Sequence, residues 1–155
     1  MALIDYLNRS YDILAFPGVV VPGTAQLEQE LFGPGNTGQI VTGILMLAQR
    51  WVIEFLTETG SLLYDPTRGT NFMTDARLGR FQTELSVIQS FNFALVDLQR
   101  NLQGEETSSI PNDERYASAE LLKLALFSGL LQMTVQLNSV AGTAVNVILP
   151  VSTLP

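Results

Sequence analysis

The chain has 155 residues, 46% of them apolar and 15% charged, which suits one domain with one core and is too apolar for disorder. Its net charge is −7, with a single lysine, Lys123, so no basic stripe is offered to nucleic acid and nothing favours an anionic membrane surface. Cysteine and histidine are both absent, which removes disulfides, thiol chemistry and the commonest general base and metal ligand. Charge this sparse predicts a surface that is neutral polar or buried against partners, as in a multi-subunit assembly; a well-packed enzyme domain is the plainer alternative.

In chain order, residues 1–8 are expected to form a short helix. They contain Asp5 and lack an apolar signal-peptide core, so synthesis in a cytoplasm without a cleaved leader is expected. Residues 11–21 read as an extended arm, broken by Pro17-Gly18 and closed by Pro22-Gly23. Residues 24–32 suggest another short helix, and Gly33-Pro34-Gly35-Asn36 a loop. A first long helix is predicted over residues 38–59, capped by Asn36 or Thr37 and ended by Gly60. Its apolar face is Ile40, Ile44, Leu47, Ala48, Trp51, Val52 and Phe55, with Gln49, Arg50, Glu54 and Thr57 largely on the other side.

A tight turn is predicted at Asp65-Pro66-Thr67-Arg68-Gly69, because proline fixes φ and glycine accepts positive φ. Asp65, Pro66, Arg68 and Gly69 are expected to set the angle between two long helices. The second is predicted over residues 75–103, capped by Thr74 and ended by Gly104. Leu78, Phe81, Leu85, Ile88, Phe91, Leu95, Leu98 and Leu102 form its stripe; Phe93 and Val96 fall outside it and suggest a second contact surface. Residues 104–117 read as a polar linker. The period then changes to two: Leu131, Met133, Val135 and Leu137 alternate with polar residues, as do Val145, Val147, Leu149 and Val151. Leu122, Leu124 and Leu126 mark a preceding strand. The expected class is α+β: two long helices packed on a C-terminal antiparallel sheet of about three strands, with an extended N-terminal arm. Residues 1–37 would be the arm and short helix, and residues 38–155 a single α+β domain.

No catalytic constellation stands out. Glu54, Glu58, Asp65 and Asp75 near one turn could supply paired carboxylates for glycoside hydrolysis. A solvated helix surface accounts for Glu54 and Glu58 more simply. Any metal would need oxygen ligands alone, and Glu105-Glu106 and Asp113-Glu114 lack the spacing of a calcium loop. Gly33-Pro34-Gly35 with Gly38 lacks the Gly-Lys-Ser/Thr of a phosphate loop. No cofactor is expected.

Three features in order carry a resemblance: the helix Gln49-Arg50-Trp51-Val52-Ile53-Glu54-Phe55-Leu56 with Thr59-Gly60-Ser61, the turn Asp65-Pro66-Thr67-Arg68-Gly69-Thr70, and the final two alternating strands. Over residues 40–151 the chain resembles the baseplate wedge and sheath-initiator family of contractile-tailed bacteriophages and related injection machines. The family often has a Glu-Pro-Arg tripeptide between its second helix and first strand, implied to bind neighbouring wedge subunits. Here Pro111-Asn112-Asp113-Glu114-Arg115 holds that place, so the residue types are present in a different order.

The resemblance implies a structural part of the virion, not an enzyme, assembled in the host cytoplasm into the tail baseplate. Its implied partners are other wedge proteins, tail sheath subunits and tail tube or hub proteins, with no nucleic acid or membrane. The implied docking residues are Pro111, Asp113, Glu114 and Arg115. A sheet edge at Thr143, Val145, Val147 and Leu149 is expected to take a strand from a sheath subunit, with the chain's own arm as a competing donor. Another tail or neck ring component, such as a terminator or tube-attachment protein, is the first alternative reading, and a carboxylate-based cell-wall glycosidase the second.

Overall fold

The structure, a computed structural model, describes residues 12–13, 19–20 and 40–153. The expected short helices over 1–8 and 24–32, the loop at Gly33-Pro34-Gly35 and the caps Asn36 and Thr37 lie outside the described residues. Three short strands come first: β1 (Asp12–Ile13), β2 (Val19–Val20) and β3 (Ile40–Val41). β1 pairs antiparallel with β3. Helices α1 (Ile44–Leu56), α2 (Phe72–Arg77) and α3 (Glu84–Glu105) follow. After a 3₁₀ turn (Asn112–Glu114) come β4 (Tyr116–Phe127), β5 (Leu130–Ser139) and β6 (Ala144–Ser152).

α1 is shorter than the 38–59 predicted. Ile40 and Val41 are committed to β3, so the helix starts only after Gly43, whose φ is 65°. At the other end Thr57 turns extended and its hydroxyl donates to the Ile53 carbonyl at 2.6 Å. The helix therefore stops before Gly60, which has φ 84° but caps nothing.

The single helix predicted over 75–103 is two helices. α2 ends at Arg77, and Gly79 at φ 68° turns the chain away. The Asp75 carbonyl accepts from the Arg80 N–H, and the Asp75 carboxylate takes Arg80 Nη1 at 2.7 Å and Ser90 Oγ at 2.7 Å. Asp75 thus ties the break to the following helix. Thr83 restarts it with a reciprocal cap: its Oγ1 accepts from the Ser86 N–H, and Ser86 Oγ accepts from the Thr83 N–H. The expected cap Thr74 lies inside α2, and Gly104 lies inside α3. Because α3 has its own phase, its inward face is Val87, Ser90, Phe91, Ala94, Leu98 and Leu102, while Leu78, Leu85 and Ile88 of the expected stripe are exposed.

The C-terminal reading is close to what is seen. β4, β5 and β6 form an antiparallel meander, and β2 adds to its β6 side, giving the order β2-β6-β5-β4. Leu131, Met133, Val135 and Leu137 of β5 and Val145, Val147, Leu149 and Val151 of β6 are all buried on one face. Helices cover that face, and the other carries the half-buried or exposed Gln132, Thr134, Gln136, Asn138, Asn146 and Ile148, which is an α+β fold in two layers. Between the layers Trp51 stacks on Phe55 with ring centres 4.8 Å apart, Phe55 meets Phe72 at 4.6 Å, and Phe72 meets Phe81 at 4.8 Å. Phe91 of α3 joins the row 5.8 Å from Phe55. Each fully buried large apolar side chain contributes about 1.5–3 kcal/mol, so these aromatics hold α1, α2 and α3 together through the hydrophobic effect rather than through charge.

Candidate functional site

The turn from Asp65 to Gly69 is held by a buried carboxylate. Glu54, only 4% exposed, lies on the inward side of α1. Its oxygens accept from Arg68 Nε at 3.0 and 3.1 Å, Arg68 Nη2 at 2.6 Å, the Gly69 N–H at 2.8 Å and Asn101 Nδ2 at 2.7 Å. Arg68 Nη1 also pairs with Glu105 at the end of α3. The turn is closed locally as well: Asp65 Oδ1 accepts from Thr67 Oγ1 at 2.7 Å, and the Pro66 carbonyl from the Gly60 N–H at 3.0 Å. Gly69 stands at φ 87°, and a Cβ there would sit 2.3 Å from the Thr57 carbonyl oxygen. Only glycine fits this close approach. The loop after α1 is thereby pinned to both α1 and α3.

Burial by itself would push the Glu54 carboxyl up. The hydrogen bonds from Arg68, Gly69 and Asn101, with the Arg68 charge, outweigh it and hold the group below the usual carboxylate range. Glu54 in turn raises Arg68 against the opposing effect of burial, and Glu105 adds to the rise. The expectation that Glu54 belongs to a solvated helix surface is corrected. Glu54 follows Leu47 by seven residues and shares its inward side, so the heptad spacing carried the signal. Glu58 is the surface member, paired with Arg77 at 3.2 Å. Glu54 and Asp65 therefore spend their oxygens on the turn itself rather than facing one another across a cleft. Among the described residues no group of three or more acidic side chains could hold a metal ion.

The linker is also tied inward. Glu114, expected to meet a neighbouring subunit, is 1% exposed, and its Oε1 accepts from Thr42 Oγ1 at 2.8 Å and from the Gly43 N–H at 3.1 Å. That carboxylate caps the start of α1, and a buried capping group is not available for docking. Arg115 is half-buried, with Nη1 3.4 Å from Asn112 Oδ1, and its carbonyl accepts from the Val140 N–H. Asp113 is half-buried in the 3₁₀ turn, and the Pro111 carbonyl accepts from the Glu114 N–H. Arg50 completes this second knot, 3.9 Å from the Glu106 carboxylate and 3.4 Å from the Glu114 carbonyl. Glu106 accepts from the Tyr116 N–H at 2.7 Å, which fixes where β4 begins.

The two edges of the sheet differ. On the β6 side, Val19 pairs with Val147 and Val20 with Asn146, so the chain's own arm occupies the middle of the edge expected for a foreign strand. The side chains of Val145, Val147 and Leu149 are in the core, and Thr143 sits exposed in the β5–β6 turn, where its carbonyl accepts from the Ser139 N–H. On the β4 side, no described segment pairs beyond the strand. Among the described residues, outward groups are engaged at Tyr116, the N–H by Glu106 and the carbonyl by Gln103 Nε2 at 3.3 Å. Elsewhere on the surface, Phe93 (76% exposed) and Val96 (65% exposed) line a shallow groove on α3 with Gln89 and Asn92. No described helix is long and apolar enough to cross a membrane.

Comparison with protein-family models, with curated proteins and with solved structures found no match.

Proposed function

We propose that the chain is a structural component of a contractile tail baseplate, joining wedge subunits to the base of the tube and sheath and presenting a sheet edge on which a sheath subunit adds a strand. The observation that carries this reading is the β4 edge, on which no described segment pairs, in a sheet with few charges. β4 is twelve residues long, and β4, β5 and β6 together contain two charged residues, Glu120 and Lys123. Edges of monomeric proteins are normally protected by several charges, proline or a cover. An edge left open over this length suits backbone pairing with another chain. Because the chain's own arm lies on β6, the docking edge is assigned to β4 rather than to the Thr143–Leu149 side named by the sequence. The turn and linker then serve as rigid internal ties: they hold the helices behind the sheet so that the edge is presented in one orientation, and repetition around a ring supplies avidity. The order of helix, Thr-Gly-Ser, Asp-Pro-x-x-Gly turn, further helix and antiparallel sheet supports the same reading.

The test is co-assembly. The purified chain is added to purified contractile-sheath subunits, and sheath polymerisation is followed by light scattering and electron microscopy with gold label on the chain. The expected outcome is sheath growth from labelled ends, lost when proline is placed at Leu124 to break the edge. Sheath growth unaffected by the chain, or label found along the sheath or at the neck, overturns the baseplate reading; label at the neck favours the ring-component alternative.

A further inference from the structure

We infer that the β4 edge of the free chain pairs with the β4 edge of a second copy, antiparallel about a two-fold axis, in a register set by Glu120 and Lys123. The inference concerns the free chain and does not rest on the tail reading.

The starting point is a β-bulge. Along the β4–β5 ladder Glu120 is opposite Gln136, Leu121 opposite Val135, and Lys123 opposite Thr134, so Leu122 is the extra residue. In a regular strand, residues three apart point to opposite faces. The bulge cancels that: Glu120 and Lys123 both share the outer face with Gln136 and Thr134, while Leu121 and Leu124 share the inner face with the buried Val135 and Met133.

This matters for self-pairing. Directly opposite residues of an antiparallel pair lie on the same face. With a two-fold axis through the bulge, Glu120 of one copy lies opposite Lys123 of the other, and Lys123 opposite Glu120. The same register sets Ala119 opposite Leu124, both inward, and Ser118 opposite Ala125, both outward. On both sides of the bulge the faces match from Ser118 to Ala125, and the axis lies at the middle of the twelve-residue strand. Registers centred on Glu120 or on Lys123 put like charges opposite one another, which is destabilising. The two charges of the sheet are thus placed where they favour this register and disfavour those centred on either charge. Leu122, 43% exposed at the bulge, comes opposite the second copy's Leu121 and gains an apolar neighbour there. The result is one continuous sheet across two copies, with the end at Tyr116 stopped by Glu106 and Gln103.

Sedimentation velocity over a dilution series tests this with four samples: the wild-type chain, Glu120→Lys, Lys123→Glu, and an equal mixture of the two variants. Circular dichroism of each variant checks the fold. The wild type is expected to be a dimer. Each single variant places like charges opposite one another twice per dimer and should dissociate about tenfold more readily. The mixture should recover wild-type dimerisation, because one copy then carries lysine at both positions and its partner glutamate at both, so opposite charges face each other across the axis twice. Should one single variant fail to fold, the double swap Glu120→Lys, Lys123→Glu, which restores both pairs within one chain, takes its place and should dimerise like the wild type. A wild type that stays monomeric throughout overturns the inference. So do single variants that dimerise as well as the wild type, or a dimer lost on Phe93→Glu but not on charge reversal, which would move the contact to α3.

Discussion

Glu54→Gln is the sharpest test of how this fold is held. The change keeps the side chain's volume and removes its charge. Oε1 accepts from Gly69 and Asn101 as well as Arg68, so the new amide nitrogen is best placed at Oε2, where it meets the Arg68 Nε and Nη2 donors. Two charge-assisted contacts are lost and N–H groups are set against N–H groups. A hydrogen bond to a charged group is worth about 1.5–3 kcal/mol, and breaking a buried pair costs about 3–5 kcal/mol. Arg68 keeps Glu105 and is 22% exposed, which lowers the cost. The expected loss is about 2–3 kcal/mol, or roughly 4–12 °C in Tm for a chain of this size. Glu58→Gln breaks a comparable pair with Arg77 on the surface and is expected to cost less than about 1 kcal/mol. Urea unfolding reads both, using the fluorescence of Trp51, the chain's one tryptophan, which is fully buried against Phe55. Equal midpoints for the two variants would refute the assignment of Glu54 as the tie.

Gly69→Ala should destabilise by more than about 2 kcal/mol, because its Cβ would meet the Thr57 carbonyl, whereas Gly60→Ala, also at positive φ but with open space around it, should cost about 1 kcal/mol; paired thermal melts distinguish them. Acid should weaken the fold through Glu54. Its folded pKa lies below the ordinary 4.5, so its contribution is complete above that value and is lost as the pH falls below it; a urea midpoint that falls with acid in the wild type and less steeply in Glu54→Gln checks the sign. Thr83→Ala removes the oxygen that starts α3 and should cost about 1 kcal/mol, seen as an earlier melt and faster amide exchange in the first turn of that helix.

The C-terminal strands were legible because a sheet with one wet face writes its burial into every second residue, as Leu131 to Leu137 and Val145 to Val151 do. The helices were legible in place but not in extent. The apolar positions from Leu78 to Leu102 can be threaded onto one stripe, and that thread hid the break at Gly79 and the Thr83–Ser86 cap. Ser86 stands where Glu or Gln is the usual partner, so the cap carries a weaker signature. Glu54 and Glu114 were misplaced for a shared reason. Charged residues are exposed by default, and only the tertiary partners Arg68, Asn101, Thr42 and Gly43, 14 to 72 residues away, make their burial tolerable. Periodicity cannot report such partners.

The distribution of charge follows from that arrangement. Arg50, Glu54, Arg68, Glu105, Glu106 and Glu114 are gathered where α1 and α3 meet the turn and the linker, and their groups are spent on one another or on backbone ends. Such ties fix orientation, since a hydrogen-bonded ion pair tolerates little displacement, while the aromatic row beneath supplies most of the stability. The outer face and edge of the sheet are then left with amides, small residues, the exposed Leu122, Phe127 and Leu130, and two opposite charges. A rigid frame behind an edge with few charges suits the proposed pairing with one neighbour, in which Glu120 and Lys123 would set the register. If the charge-reversal pair fails to restore association in the mixed sample, Glu120 and Lys123 do not set the register, and the charge-selected two-fold pairing is overturned.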